Sequence, residues 1–348
     1  MSIQTGARSG LCDGILSTVG HTPLVHLQRL FPDAPFQLFG KLEMLNPGGS
    51  GKDRSAKNMV LEAYRRGIIT GQTTVVESTS GNLGVGLAQV CGYLGLRFVC
   101  VTDTRTTPTN LRILRAYGAE VEVVTPSDAI NGDLLGARIR RVKELLRKIP
   151  NSFWVNQYAN ENNPRAQYGT MEEIHHELGR IDFVFVATST CGTLRGCREY
   201  VRDHRLSTKV IAVDAAGSVI FGGASGRRLI PGHGASRVPE LYQPGLEDVC
   251  IRVTDLDCVK GCYRLLRREA IFAGGSSGGV LMAIARLSEA IPTGANCVAI
   301  LCDRGERYLE TVYSESWVAE NFGDVDDLYD VAGKPHERAA AAFQGTGD

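Results

Sequence analysis

The feature that most limits how this chain can fold is a repeated alternation of short apolar runs with longer helical patterns. Thr74-Val75-Val76-Glu77, Phe98-Val99-Cys100-Val101, Glu120 to Val124, Phe183-Val184-Phe185-Val186, Lys209 to Val213 and Val298 to Leu301 read as strands. Gly84 to Leu94, Thr109 to Tyr117 and Leu194 to His204 read as helices. Strands that are apolar on both faces must be covered on both, and helical crossovers between parallel strands do this. The expected class is therefore α/β, and 348 residues suit two three-layer domains. A smaller block spans 46–157 and a larger one 158–330, with the opening segment 1–45, which carries Thr22-Pro23-Leu24-Val25, assigned to the larger. The last stretch, 331–348, is too poor in apolar residues to pack and is expected to be a disordered tail.

Lysine plus arginine equals aspartate plus glutamate, 38 of each, so no global basic field recruits nucleic acid. The longest apolar runs fall far short of the roughly 20 residues a membrane span needs, and no basic-then-apolar leader is visible. A cytoplasmic protein without membrane or nucleic-acid partners is the expectation. Ten cysteines are scattered along the chain, several in apolar stretches (Cys91, Cys100, Cys297), where cysteine behaves as a small hydrophobe. Cys258 and Cys262 stand one helical turn apart with no second pair or histidine beside them in sequence, so no metal site is expected. The charged run Arg138 to Lys148 reads as the solvated face of a helix.

Glycine, 40 residues in all, clusters where strands pass into helices. Thr79-Ser80-Gly81-Asn82-Leu83-Gly84 follows one strand, Thr188-Ser189-Thr190-Cys191-Gly192-Thr193 follows another, and Gly274-Gly275-Ser276-Ser277-Gly278-Gly279 precedes an apolar helix. Such loops present free backbone N–H groups and the positive end of a helix, a setting suited to phosphate at the carboxyl edge of a parallel sheet. Small residues also make tight turns with no ligand, and neither a P-loop nor a Gly-x-Gly-x-x-Gly fingerprint is present. In Asn46-Pro47-Gly48-Gly49-Ser50-Gly51-Lys52-Asp53-Arg54, Lys52 is an accessible lysine just before a helix, and Lys57 is its rival. A Schiff-base lysine needs a partly desolvated or electrostatically depressed amine, which spacing alone does not reveal.

Taken together, these segments resemble the cysteine synthase family of the tryptophan synthase β-subunit fold (fold type II), from about Leu16 to Ser314. Val19-Gly20-His21-Thr22-Pro23-Leu24-Val25 is similar to the family's opening, and Asn46 to Arg54 to its cofactor-lysine motif. The resemblance implies pyridoxal 5'-phosphate carried on Lys52 and not Lys57, with the phosphate on Ser189, Thr190, Cys191, Gly192 and Thr193. It implies that Thr79, Ser80, Gly81 and Gln157 hold the substrate carboxylate and that Asn82 bonds the cofactor's phenolic oxygen. Asp303 stands where the family commonly has a serine facing the ring nitrogen, and an aspartate there would favour a protonated ring. Arg304-Gly305-Glu306-Arg307-Tyr308-Leu309 closes the pattern. A cofactor-binding larger domain, a mobile smaller one and a homodimer are further implications.

Departures from the pattern narrow the expected chemistry. Leu83 replaces a threonine and Cys191 a glycine. Ser80-Gly81-Asn82-Leu83-Gly84, Asp303-Arg304-Gly305 and Ile230 to Arg237 resemble a branch of the family that joins O-phospho-L-serine to the amine of L-glutamate. That branch works by β-replacement through an aminoacrylate, on a route to 2,3-diaminopropionate for siderophores or peptide antibiotics. Arg237 is the expected contact for the departing phosphate, because a guanidinium matches phosphate oxygens bidentately. The competing readings are a cysteine synthase using sulfide with O-acetylserine or O-phosphoserine, a β-eliminating or racemising serine enzyme, and a non-catalytic amino-acid-binding relative.

Overall fold

The computed structural model describes residues 12–128, 133–325 and 328, so the segment 331–348 lies outside the described residues. The strands are β1 (Leu24–His26), β2 (Gln37–Leu42), β3 (Thr74–Ser78), β4 (Phe98–Asp103), β5 (Glu120–Val124), β6 (Ser152–Trp154), β7 (Phe183–Ala187), β8 (Lys209–Ala215), β9 (Val249–Val253) and β10 (Asn296–Leu301). The helices are α1 (Lys52–Arg65), α2 (Asn82–Leu94), α3 (Pro108–Ala116), α4 (Leu134–Lys148), α5 (Asn162–Leu178), α6 (Gly192–Asp203), α7 (Asp255–Glu269), α8 (Gly275–Leu287) and α9 (Glu315–Phe322).

Two sheets result, the α/β class with strands sandwiched between helices. The larger runs β1-β2-β10-β7-β8-β9 and the smaller β5-β4-β3-β6. Every strand pair is parallel except the edge pair β1 and β2. All five residues of β3 and all six of β4 are buried, as expected for strands covered on both faces. The first strands, β1 and β2, join the larger sheet through β10. They were not legible as strands, because Gln37 to Leu42 alternates without a β-branched run.

The third glycine loop has a packing explanation. A Cβ on Gly261 of α7 would lie 2.0 Å from the carbonyl oxygen of Gly278, and one on Gly278 would lie 2.0 Å from that of Cys258. Helices α7 and α8 therefore touch backbone to backbone, and only glycine allows that approach. Cys258 is held in the same contact, 3.6 Å from Nδ1 of His233, a residue far from it in sequence. Burial keeps the His233 imidazole down at about 4, so it is neutral at physiological pH. No group of three or more His, Cys, Asp or Glu suited to a metal forms among the described residues. Among them, too, no helix is long and apolar enough to cross a membrane.

Candidate active site

Lys52 is the first residue of α1, half-buried, and the turn before it is stitched to the end of β10. Gly51 N–H donates to the Cys302 carbonyl at 3.0 Å, Ser50 pairs with Asp303 in an isolated antiparallel bridge, and Arg304 N–H reaches the Gly49 carbonyl. On its other side the turn is tied to α5. The Gln167 amide donates to the Gly51 carbonyl (2.9 Å) and to Ser55 Oγ (3.0 Å), and Ser55 donates to Asn163 Oδ1 (2.7 Å). Asn163 Nδ2 then donates to the Gln157 carbonyl (2.9 Å) and Thr190 Oγ1 (3.4 Å). One buried amide chain thus fixes the Lys52 turn, Gln157 and the loop 189–193 relative to one another.

That loop opens α6. Cys191 is its N-cap with φ 63° and its side chain does not cap the helix; of the first N–H groups of α6, that of Gly192 makes a long contact of 3.5 Å to Thr190 Oγ1. A Cβ at Gly192 would meet the Asn163 amide at 2.5 Å, so a larger residue there would displace the side chain that ties this loop to Gln157. Burial pushes the Cys191 thiol up to about 12, which leaves it inert as a nucleophile. Ser189 Oγ donates to the Gly234 carbonyl, and Gly234 N–H to the Thr188 carbonyl, so the loop bearing Arg237 is pinned to this one.

Asn82 begins α2, in the smaller sheet's half of the molecule, and crosses to the larger. Its Nδ2 donates to Asp303 Oδ2 at 2.7 Å, and Tyr308 donates its hydroxyl to the same oxygen at 2.6 Å. Arg307 donates to Asn82 Oδ1 and to the Gly48 carbonyl. Asp303 is fully buried and its Oδ1 has no hydrogen-bond partner. Burial raises its pKa, against the Tyr308 and Asn82 hydrogen bonds and the charges of Arg307 and Lys52. Leu83 turns the other way, into the apolar cluster of Ala56, Met59, Leu87 and Leu114, so its side chain belongs to the core.

The loop Thr79 to Gly81 lies between β3 and α2 and is anchored by Thr79 N–H on the Val101 carbonyl and Asn110 Nδ2 on the Ser80 carbonyl. Beneath it sits Glu77, fully buried, whose carboxylate accepts from the N–H groups of Ser78 (2.7 Å) and Gln157 (3.2 Å) and from Trp154 Nε1 (3.4 Å). Burial lifts this carboxyl to about 7, although the four donors around it, Asn156 N–H included, favour its ionised form.

Next to Gln157, Tyr158 gathers three arginines. Arg237 is exposed and its guanidinium lies 5.4 Å from the Tyr158 ring centroid. Arg138 and Arg228 also act on the phenol, whose pKa burial raises and the three cations oppose. Arg138 departs from the expectation that the charged run Arg138 to Lys148 is a solvated helix face. Its side chain is only 11 % exposed, Nε faces Asp103 at 3.2 Å, and Nη1 is buried with no hydrogen-bond partner. The helical period contained the signal: Leu134, Val142 and Leu145, at i−4, i+4 and i+7 from Arg138, are all buried.

The arrangement fits a phosphorylated, ring-bearing cofactor. It has a lysine at a helix start, a capless helix with backbone donors, and a buried carboxylate oxygen without a donor. The chain belongs to the pyridoxal-phosphate-dependent enzymes: residues 15–303 match the family described as "Pyridoxal-phosphate dependent enzyme". Within that family it is a member of the cysteine synthase-like, β-replacing group. It is 46% identical over 314 residues to the N-(2-amino-2-carboxyethyl)-L-glutamate synthase of Cupriavidus metallidurans, covering 89% of this chain and 92% of that one. A cysteine synthase from Entamoeba histolytica superposes with a TM-score of 0.82 at 31% identity, covering 90% of this chain and 94% of that one. The O-acetylserine-dependent cystathionine β-synthase of Helicobacter pylori gives 0.81 at 29%, covering 87% and 99%. The non-catalytic reading is thereby set aside.

Proposed function

We propose that this enzyme carries out β-replacement on O-phospho-L-serine with the amine of L-glutamate, giving N-(2-amino-2-carboxyethyl)-L-glutamate and phosphate. The observation that carries the reading is Arg138, a nearly buried guanidinium whose Nε faces Asp103 while its Nη1 lacks any hydrogen-bond partner, and whose charge acts on Tyr158. A buried cationic nitrogen without a hydrogen-bond partner is unfavourable unless an acceptor completes it. The charged phosphate ester of O-phosphoserine does so in the bound substrate, where the neutral acetyl ester of O-acetylserine does so only weakly. The name of the Cupriavidus relative supports the same product.

The roles follow residue by residue. Lys52 would carry the cofactor, with the N–H groups and hydroxyls of 189–193 on its phosphate, Asp303 toward its ring nitrogen and Asn82 toward its phenolic oxygen. When bound, pyridoxal phosphate supplies the electron sink that makes the substrate Cα–H acidic. Lys52 Nζ takes that proton, Thr79 to Gly81 and Gln157 orient the substrate carboxylate, and Arg138 and Arg237 receive the phosphate as the Cβ–O bond breaks. The glutamate nitrogen then forms the new bond to Cβ and loses a proton, and Lys52 returns one to Cα. For Asn82 to act in this way its amide must leave Asp303. On this reading the enzyme is a cytoplasmic homodimer whose product serves a route to 2,3-diaminopropionate.

Purified enzyme loaded with pyridoxal phosphate and given both substrates should release phosphate at a rate that depends on glutamate and form the adduct, seen by mass spectrometry. Phosphate release indifferent to glutamate but driven by sulfide would instead identify a cysteine synthase.

A further inference from the structure

The proposed reaction needs a second anion site. O-phosphoserine brings a phosphate, but the incoming glutamate brings two carboxylates, and its amine must be steered to Cβ. Arg138 comes from α4, on the smaller sheet's side of Tyr158. The loop after β8, in the larger sheet's half, supplies a second guanidinium with the same deficiency, whose charge also acts on Tyr158. Arg228 is only partly exposed, and its Nη1 is buried without a hydrogen-bond partner.

The surroundings of Arg228 show that the chain does not satisfy it internally. Asp255 has both oxygens engaged by the N–H groups of Leu229 (3.0 Å) and Ile230 (3.3 Å). Asp214 is the strongest charge favouring the guanidinium; its Oδ1 serves Ala215 N–H and Thr188, its Oδ2 is buried without a hydrogen-bond partner, and no hydrogen bond joins either oxygen to Arg228, so the two interact by charge alone. Nη1 is packed against Gly234, where an added Cβ would sit 2.9 Å from it. Gly234 in turn holds Ser189 and Thr188 at the start of the cofactor-phosphate loop. Arg228 thus stands one residue layer from the catalytic loops, with its charge acting on Tyr158 and His233.

We infer that Arg228 anchors the side-chain carboxylate of the incoming acidic amino acid, so that Tyr158 divides a leaving-group site at Arg138 from a nucleophile site at Arg228. The inference rests on the function proposed above. A guanidinium presents two parallel N–H donors to a carboxylate, which lysine cannot reproduce. Selection of glutamate over glutamine then follows, since the neutral amide leaves the cation uncompensated.

The test uses the holoenzyme and the variants R228Q and R228K, with steady-state constants for both substrates and with glutamine as a competing nucleophile. In R228Q the KM for glutamate should rise about 30-fold or more, the loss expected for a charge-assisted pair, and the preference for glutamate over glutamine should collapse. The KM for O-phosphoserine should change by no more than about threefold, and R228K should recover part of the glutamate affinity. Equal effects on both substrates, or an unchanged preference for glutamate, would overturn the assignment and leave Arg228 as a partner of Asp214 or of the cofactor loop. If the wild-type enzyme does not use glutamate, the proposed function itself fails, and this shows before any variant is made.

Discussion

On the proposed reading the anion donors around Lys52 are backbone N–H groups at the start of α6, held in place by a buried hydrogen-bond chain through the Gln167 amide, the Ser55 hydroxyl and the Asn163 amide. Around Tyr158 the donors are arginine side chains, brought from α4 and from the loop after β8. In the first arrangement the donors themselves span a few residues of contiguous sequence. The second is assembled from segments about ninety residues apart, and side chains can be exchanged there without disturbing a turn. On the function proposed above, the cofactor is held by backbone and the choice of substrate by side chains.

The contrast is broken most sharply by comparing K52A with R138Q. Loss of the Lys52 base should lower kcat by roughly 10²–10⁴-fold for every amino-acid substrate, O-acetylserine and O-phosphoserine alike. R138Q should lower kcat/KM for O-phosphoserine by roughly ten- to a hundredfold, the worth of a charge-assisted hydrogen bond, and should spare slow turnover of O-acetylserine. Steady-state kinetics on both substrates decides it. If R138Q weakens both equally, Arg138 is structural and its pairing with Asp103 is its whole role.

Glu77 lies beneath both regions and gives the next largest effect. Its four donors require an ionised carboxylate, while burial raises its pKa from 4.5 to about 7. Below that pH a proton replaces one acceptor lone pair and releases Ser78 or Gln157, so the KM for O-phosphoserine should rise severalfold between about pH 8 and 6. E77Q fixes the proton-like state and should flatten this dependence, which separates it from the substrate phosphate's own titration near pH 6. The linked effect on stability has the opposite sense. Because the folded pKa exceeds the unfolded one, the folded state holds the extra proton between about 4.5 and 7, and the Glu77 contribution falls as pH rises through that window. Glu173, held down at about 2 despite its burial by Arg54, His21 N–H and Lys41, works in reverse and loses its contribution as pH falls from 4.5 toward 2. Thermal unfolding of wild type and E77Q across pH 4 to 8 measures the Glu77 contribution, and carrying the wild-type series down to pH 2 measures that of Glu173.

The same division sets how much was legible before the structure. β5 appears over Glu120–Val124 as the β-branched run predicts, and α2, α3 and α6 begin within two residues of their expected starts. The 189–193 loop was legible because strand, loop and helix follow one another in sequence, whereas Lys52 was separated from its rival Lys57 only by the resemblance of Asn46 to Arg54 to the family's motif. β6 and α5 were not, since Ser152–Trp154 is three residues long and α5 carries many polar residues that tertiary contacts with α1 and Thr190 make use of. Arg138 was hidden in a run of like charges, although its register with Leu134 and Val142 marks it as inward. Arg228, Arg307 and Tyr308 left no periodic signal, because loops and a short turn deliver them to the site. Glu77 reads as an ordinary strand end, and only the fold brings Gln157 to it.

The smallest effect tests whether the backbone site is indifferent to side chains. At Cys191, φ 63° places a non-glycine residue in the left-handed region, which costs about 1 kcal/mol or more. C191G relieves that strain but adds freedom to the unfolded chain, about 0.4–1 kcal/mol. It also removes a sulfur packed against Ile220 and Ala235, worth about 1 kcal/mol. The terms oppose one another, so the melting temperature should move by only about 2–4 °C in either direction. Affinity for pyridoxal phosphate, followed by fluorescence titration of the apoenzyme, should stay within about twofold, because every N–H of the loop survives the change. A tenfold loss would mean that the thiol itself shapes the anion site, and the separation of backbone-held from side-chain-held recognition would then fail at its most conspicuous position.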